Sequence, residues 1–333
     1  VLLVPGADAT AQQPPSASTI LGSQGTQLTI NGRPAFLLGV SYYGALGASE
    51  EFLRRDLDDF QTHGFNWVRI WATWGAFDHD VSAVDGRGEP REAFLRKLQW
   101  LVAECDRRGM IVDVTLSRGK LSSRALSGGN LPDFSAHQRA VDVIVNAIKS
   151  HRNWYLDLAN ERDVRDDRFV SVEELTQLRA QVRKLDPQRL VTASFGGHDL
   201  SKDDVRDALI AAGQDFLSVH RPRNPQSPQQ TEIRTRELLT IASQLQKTVP
   251  VHHQEPFRRG YGNWEPSAED FLTDLRGAVA GHAAGWCFHN GSQRNTPDNH
   301  PRRSFDMREQ RLIDQLDDEE RTVLSKAYRV VHP

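Results

Sequence analysis

The sequence predicts a single (β/α)8 barrel preceded by a short β-hairpin, and three observations carry that prediction. Eight short apolar runs rich in β-branched and aromatic residues alternate with eight longer amphipathic stretches. Such alternation implies parallel strands joined by right-handed helical crossovers, and eight units are the number that closes a cylinder. The 333 residues suffice for one barrel of ordinary size together with a tail.

Residues 1–25 read as a signal-peptide remnant and linker, and 26–333 as one catalytic domain. The start, VLLVPGADATAQ, pairs an apolar run with small residues at Ala7, Ala9 and Ala11, the pattern a signal peptidase cuts, so a secreted or periplasmic location is expected. Residues 12–18, QQPPSAS, are polar and proline-rich, as in a linker that buries nothing. Residues 27–30 and 34–36 flank Asn31-Gly32, a dipeptide suited to the positive φ angles of a two-residue hairpin turn. The strand candidates are 36–42, 66–71, 110–116, 154–159, 190–194, 216–220, 249–254 and 285–289. The helix candidates are 50–62, 92–108, 136–150, 172–185, 202–211, 231–246 and 268–280, with 308–327 last. An open doubly wound sheet is the structural rival, but the first strand ends in SYYGALGAS, without the glycine spacing of a phosphate-binding turn.

A composition of 38% hydrophobic and 26% charged residues fits a globular chain with a sizeable core. The net charge of -3 supplies no positive field for nucleic acid or an anionic membrane, so neither is expected as a partner. No run approaches the roughly 18 apolar residues of a membrane span. A monomer is expected. Cys105 and Cys287 fall in a helix and a buried strand and read by default as two buried free thiols, with a disulfide between them left open by the sequence.

Catalytic groups of such barrels stand at the carboxyl ends of the strands. The fourth strand runs YLDLANERD and the seventh VPVHHQEPF, so Glu161 and Glu255 finish them. Two carboxylates can divide the work of cutting a glycosidic bond, one donating a proton to the leaving oxygen and the other attacking the sugar carbon. Like-charge repulsion from an ionised Glu255 would help keep Glu161 protonated. Arg69 on the second strand points the same way and would hold Glu255 ionised.

With these residues in place, the sequence resembles the clan of retaining glycoside hydrolases with (β/α)8 barrels, and within it the cellulase and mannanase family, over roughly residues 26–290. The resemblance implies that Glu161 is the acid/base, that Glu255 is the nucleophile, and that Asn160 binds the sugar 2-hydroxyl. It matches Arg69 to the clan's second-strand arginine, His220 to the His or Tyr after the sixth strand, and Trp286 to the eighth-strand tryptophan that floors the sugar. A retaining mechanism places the two carboxyl groups about 5 to 5.5 Å apart. Two departures leave the sugar open: Ser117-Arg118 stands where many members have a histidine, and Asn160-Glu161-Arg162 replaces the usual Asn-Glu-Pro.

Competing readings remain at several positions. His220 also suits a core histidine satisfied by a carbonyl, and Trp71, Trp74 and Trp264 suit either sugar stacking or plain packing at the rim. Adjacent His252 and His253 face opposite ways on a strand and cannot chelate one ion, so no metal and no cofactor are expected. His253 is placed inside the barrel beneath Glu255, with Asp157 pairing with it or with Arg69. The catalytic-face loops carry Arg118, Lys120, Arg124, Arg162, Arg165, Arg168, Arg221, Arg223, Arg258, Arg259, Arg294, Arg302 and Arg303. These cations read either as a solvated face of local ion pairs or as a cleft for an anionic glycan. The expected partner is a carbohydrate substrate, with transglycosylation and a silent glycan-binding barrel as the rival functions.

Overall fold

In the computed structural model, residues 19–76, 79–117, 130–164, 168–260, 263–291 and 305–333 are described. The segment read as remnant and linker over 1–18 lies outside them, as do Arg118, Lys120, Arg124, Arg165, Arg294, Arg302 and Arg303.

Three antiparallel strands come first: β1 (Leu21–Gln24), β2 (Gln27–Ile30) and β3 (Arg33–Ala35). Asn31 and Gly32 turn β2 into β3 with φ of 53° and 75°, as the dipeptide predicts. Sequence analysis did not find β1, whose LGSQ lacks a clear alternation. This small sheet plugs one end of the barrel: Leu21 and Leu28 pack into a cluster with Leu37, Trp67 and Ile111.

The barrel follows in the expected order. Its elements are β4 (Leu37–Ser41), α1 (Glu50–Thr62), β5 (Trp67–Trp71), a small hairpin of β6 (Gly75–Ala76) and β7 (His79–Asp80), α2 (Glu92–Arg107), β8 (Ile111–Thr115) and α3 (Phe134–Ile148). Then come β9 (Trp154–Asp157), α4 (Val172–Leu185), β10 (Val191–Thr192), α5 (Lys202–Arg206), β11 (Leu217–Ser218), α6 (Ser227–Gln244), β12 (Val251–His253), α7 (Ala268–Ala280), β13 (Gly285–Phe288) and α8 (Asp318–Val331). The strands lie in the order β10-β9-β8-β5-β4-β13-β12-β11, with every paired neighbour parallel. The cylinder closes between β10 and β11, where Asp215 N donates to Val191 O (3.0 Å) and Thr192 Oγ1 to Phe216 O (3.1 Å). The Asp215 carboxylate pins this seam by accepting from Val191 N (2.7 Å), Arg179 and Arg183.

Strand periodicity divides the interior into two layers. Val68, Ile70, Val112 and Val114 point out to the helices, while Trp67, Arg69, Ile111 and Asp113 point in. The lower layer is apolar and tight. A Cβ on Gly39 would sit 2.0 Å from the Trp67 ring, and one on Gly285 would sit 2.3 Å from His252, so these glycines make room for both rings.

The helices begin where side chains satisfy their first N–H groups. Ser171, Ser267 and Asp317 close capping boxes with Glu174, Asp270 and Glu320. The last helix is shorter than the expected 308–327. Leu312 N and Ile313 N donate to the buried Asp56 carboxylate, and the capping box at Asp317 sets the start. Cys105 and Cys287 are both free and buried, as expected.

Candidate active site

The upper layer of the barrel is polar, and Arg69 is its hub. Fully buried on β5, it donates to Glu255 Oε2 (2.6 Å), Asp157 Oδ2 (3.2 Å), Asn160 Oδ1 (2.8 Å), Thr115 Oγ1 (3.1 Å) and Tyr43 Oη (3.0 Å). Asp113 stands 3.4 Å away. One guanidinium thus joins β5, β8, β9 and the segment after β12. The Arg69–Glu255 bond is the one expected, and of the two partners the sequence left open for Asp157 the structure has Arg69.

Glu255 follows β12 through a bulge: Gln254 N and Glu255 N both donate to Val219 O, at 3.1 and 3.3 Å. The extra residue shifts the alternation upstream, and this corrects the sequence reading. His252, not His253, fills the interior, its ring 4.6 Å from that of Trp67, while His253 turns outward to Thr235 Oγ1 (2.8 Å) on α6. Gln254 faces inward, donating to Asp113 (2.6 Å) and Asp157 (3.1 Å) and receiving His220 Nε2 at 3.0 Å. Two carboxylates claim the Gln254 amide N–H groups, so its Oε1 must face His220, and His220 carries its proton on Nε2.

Glu255 Oε2 also accepts from Tyr43 Oη (2.6 Å), and Glu255 Oε1 accepts from Arg223 Nη2. Burial opposes ionisation of Glu255, but the positive character of His220, His289, Arg223 and Arg69 prevails and holds its carboxyl well below the usual range. Burial pushes the His289 ring well below the ordinary histidine value.

Glu161 ends the fourth barrel strand with an unusual backbone, φ 47°. Ser194 Oγ accepts its N–H (2.9 Å), and its Oε1 lies 3.3 Å from His220 Nδ1 and 3.4 Å from Arg223 Nη2. Burial and Glu255 push its carboxyl up, yet the His220 bond and Arg223 outweigh them and the net shift is downward. The expected repulsion by Glu255 is therefore overridden here, first by the His220 bond and after it by Arg223. A carboxylate oxygen of Glu161, one of Glu255 and a ring nitrogen of His220 all lie within 4.8 Å of one another. Such a triad can attract a metal ion, but Arg69 and Arg223 already donate to its carboxylates, and their positive charge opposes a second cation.

Of the other expected site residues, Trp71 joins the cluster, its ring 5.2 Å from Tyr43 and 5.8 Å from the Arg69 guanidinium. Trp264 packs on Phe257 (4.8 Å) at the edge of the core. Trp286 is a correction. It faces out of the barrel and donates its indole N–H to Asp274 on α7 (2.6 Å), because the inward positions of that strand are Cys287 and His289. Sequence reasoning missed Tyr43, Gln254 and His289. The SYY at the end of the first barrel strand was a usable signal for Tyr43.

The described loop cations divide by partner. Arg221 is buried and bound to Asp199, Ser227 O and Thr231, Arg168 pairs with Glu174, and Arg259 pairs with Asp317. Arg223 and Arg258 instead reach the site, Arg258 with Nη1 3.4 Å from His289 Nε2 and its guanidinium 5.2 Å from the Phe305 ring.

No protein-family model matches the sequence, and no curated protein matches it. Solved structures do match in shape. The endo-1,4-beta-mannanase from Rhizomucor miehei is 13% identical with a TM-score of 0.65, over 94% of this chain and 99% of that one. A putative glycoside hydrolase from Bacteroides vulgatus is 15% identical with a TM-score of 0.69, over 96% and 62%. GH5_18 from Streptomyces cattleya, in complex with GlcNAc, is 16% identical with a TM-score of 0.60, over 90% and 80%. The chain has the (β/α)8 fold of these proteins.

Proposed function

We propose that the chain is a retaining glycoside hydrolase that cleaves β-glycosidic bonds of an oligo- or polysaccharide by double displacement. The observation that carries this reading is the facing pair Glu161 and Glu255, with carboxylate oxygens within 4.8 Å of each other. Oxygens this near one another favour the closer carboxyl spacing of retaining enzymes over the roughly 6.5 to 9.5 Å of inverting ones. Likeness of fold to glycoside hydrolases adds support.

Glu255 Oε2 is occupied by Tyr43 and Arg69, which leaves Oε1 to attack the anomeric carbon. As the C–O bond to the leaving group breaks, Glu161 gives that oxygen its proton, and a glycosyl ester forms on Glu255. Glu161 then takes a proton from the water that attacks the same carbon, and the Glu255 carboxylate is released. Glu161 must start protonated. A bound sugar that displaces Arg223 removes one of the two groups that lower Glu161, so burial and repulsion from Glu255 then push it toward its acid form against His220. Asn160, its carbonyl oxygen turned to Arg69, presents its amide N–H to the sugar 2-hydroxyl.

Rescue chemistry tests the roles. Glu255→Ala should lose turnover of every aryl-glycoside, and azide should restore slow reaction with inverted product. Glu161→Ala should keep the first step on good leaving groups, with azide giving product of retained configuration. Exchange of the two outcomes would exchange the roles. A silent glycan-binding barrel would leave the whole substrate panel intact, and a transglycosylase would lengthen acceptor sugars instead of releasing monomers.

A further inference from the structure

We propose that the cleft is built for a sugar carrying its own anionic group, a uronate carboxylate or a sulfate ester, which takes over Arg223 as the sugar displaces it from the two glutamates. This rests on the glycosidase reading. Arg223 Nη2 donates to Glu255 Oε1 and lies 3.4 Å from Glu161 Oε1, so it stands where the anomeric carbon and its leaving oxygen must come. These are the two oxygens that do the chemistry. No sugar can react until the guanidinium moves.

What moving costs depends on what the sugar offers. The side chains of Arg223, Glu161 and Glu255 are only 16%, 19% and 7% exposed, so water screens this contact poorly. A neutral sugar takes away the two carboxylate bonds and returns hydroxyls, whereas an anionic sugar exchanges one charge-assisted partner for another. Arg258, with Nη1 3.4 Å from a His289 ring that itself stands 3.9 Å from Glu255 Oε1, brings a second guanidinium to the site. A planar guanidinium fork matches a carboxylate or sulfate in two hydrogen bonds. The arrangement therefore selects by charge exchange.

The test compares matched aryl β-glycosides: glucuronide against glucoside, galacturonide against galactoside, and 6-sulfated against unsulfated glucoside. In any pair that is turned over, the acidic member should have the higher kcat/KM, on the order of 100-fold. The uronide and sulfate arms tell the two anions apart. Arg223→Gln should collapse this ratio from both sides, lowering kcat/KM on the acidic member and raising it on the neutral one, and Arg223→Lys should keep part of it. Equal or better turnover of the neutral members by the native protein, or a ratio unchanged in Arg223→Gln, would overturn the inference and leave the glycosidase reading standing. Turnover of no glycoside at all would sink both.

Discussion

Glu161 holds the left-handed backbone region with a side chain that does not favour it. An L-residue at φ 47° costs roughly 1 kcal/mol or more relative to glycine, and such strain survives where surrounding bonds fix the position, here Ser194 on its N–H. Glu161→Gly is therefore expected to be more stable than Glu161→Ala by about 1 kcal/mol in denaturant unfolding, the reverse of the usual order of these residues. Equal or greater stability of the alanine variant would mean the backbone is unstrained. The two glutamates, Arg69 and Asn160 were legible because each ends or lines a strand in a recognisable order. The partners that set their charge were not. Tyr43 and His289 come from strands distant in sequence from either acid, Gln254 turns inward only because of the bulge beside Glu255, and Arg223 stood among thirteen loop cations with no local sign that it would reach both acids.

At the level of elements, the eight strands and the starts of α1, α2, α4 and α7 fell where periodicity put them, since alternation and capping are local signals. What periodicity does not carry is a local break in it. The bulge at Gln254 and Glu255 reversed the assignment of His252 and His253, and the inward or outward sense of β13 was settled only by its neighbours. Trp286 shows the consequence. Burial raises the Asp274 carboxyl to about 6, with Thr231 and Trp286 as the hydrogen bonds that restrain it. Trp286→Phe removes one of those donors, pushing the carboxyl higher still, so the folded protein suffers more where Asp274 must be ionised. The variant should lose about 1–3 kcal/mol, with a larger loss at pH 8 than at pH 5, while its KM stays near the native value. The lost ring volume costs the same at both pH values. A several-fold rise in KM with unchanged stability would instead restore Trp286 as a sugar platform.

The whole molecule buries carboxyls of two opposed kinds. Burial raises Asp56 to about 6, Asp113 to about 7 and Asp274 to about 6. Between the unfolded value near 4 and these folded values the native state binds more protons than the unfolded chain, so their contribution to stability falls as pH rises. Glu255 and Glu161 are held below the usual range, and the stability they give is present above about pH 4.5 and lost on acidification. The buried His137, His252, His253 and His289 act against the raised carboxyls: burial holds them below the ordinary histidine value, so the unfolded chain binds more protons below about pH 6.5. Thermal stability should therefore climb from pH 5 to about pH 6.5 and level off above it. A melting temperature that falls over that interval would contradict the lowered histidines. The Arg69 hub has a further consequence, one of timing during synthesis. Glu255 emerges from the ribosome 186 residues after Arg69, so a nascent chain carries the cation long before its last carboxylate is made. Until then the arginine cannot be buried with its full set of partners, and water is its better solvent. Completion of the barrel thus waits for the same glutamate that would perform the chemistry, and a truncated chain is left without either.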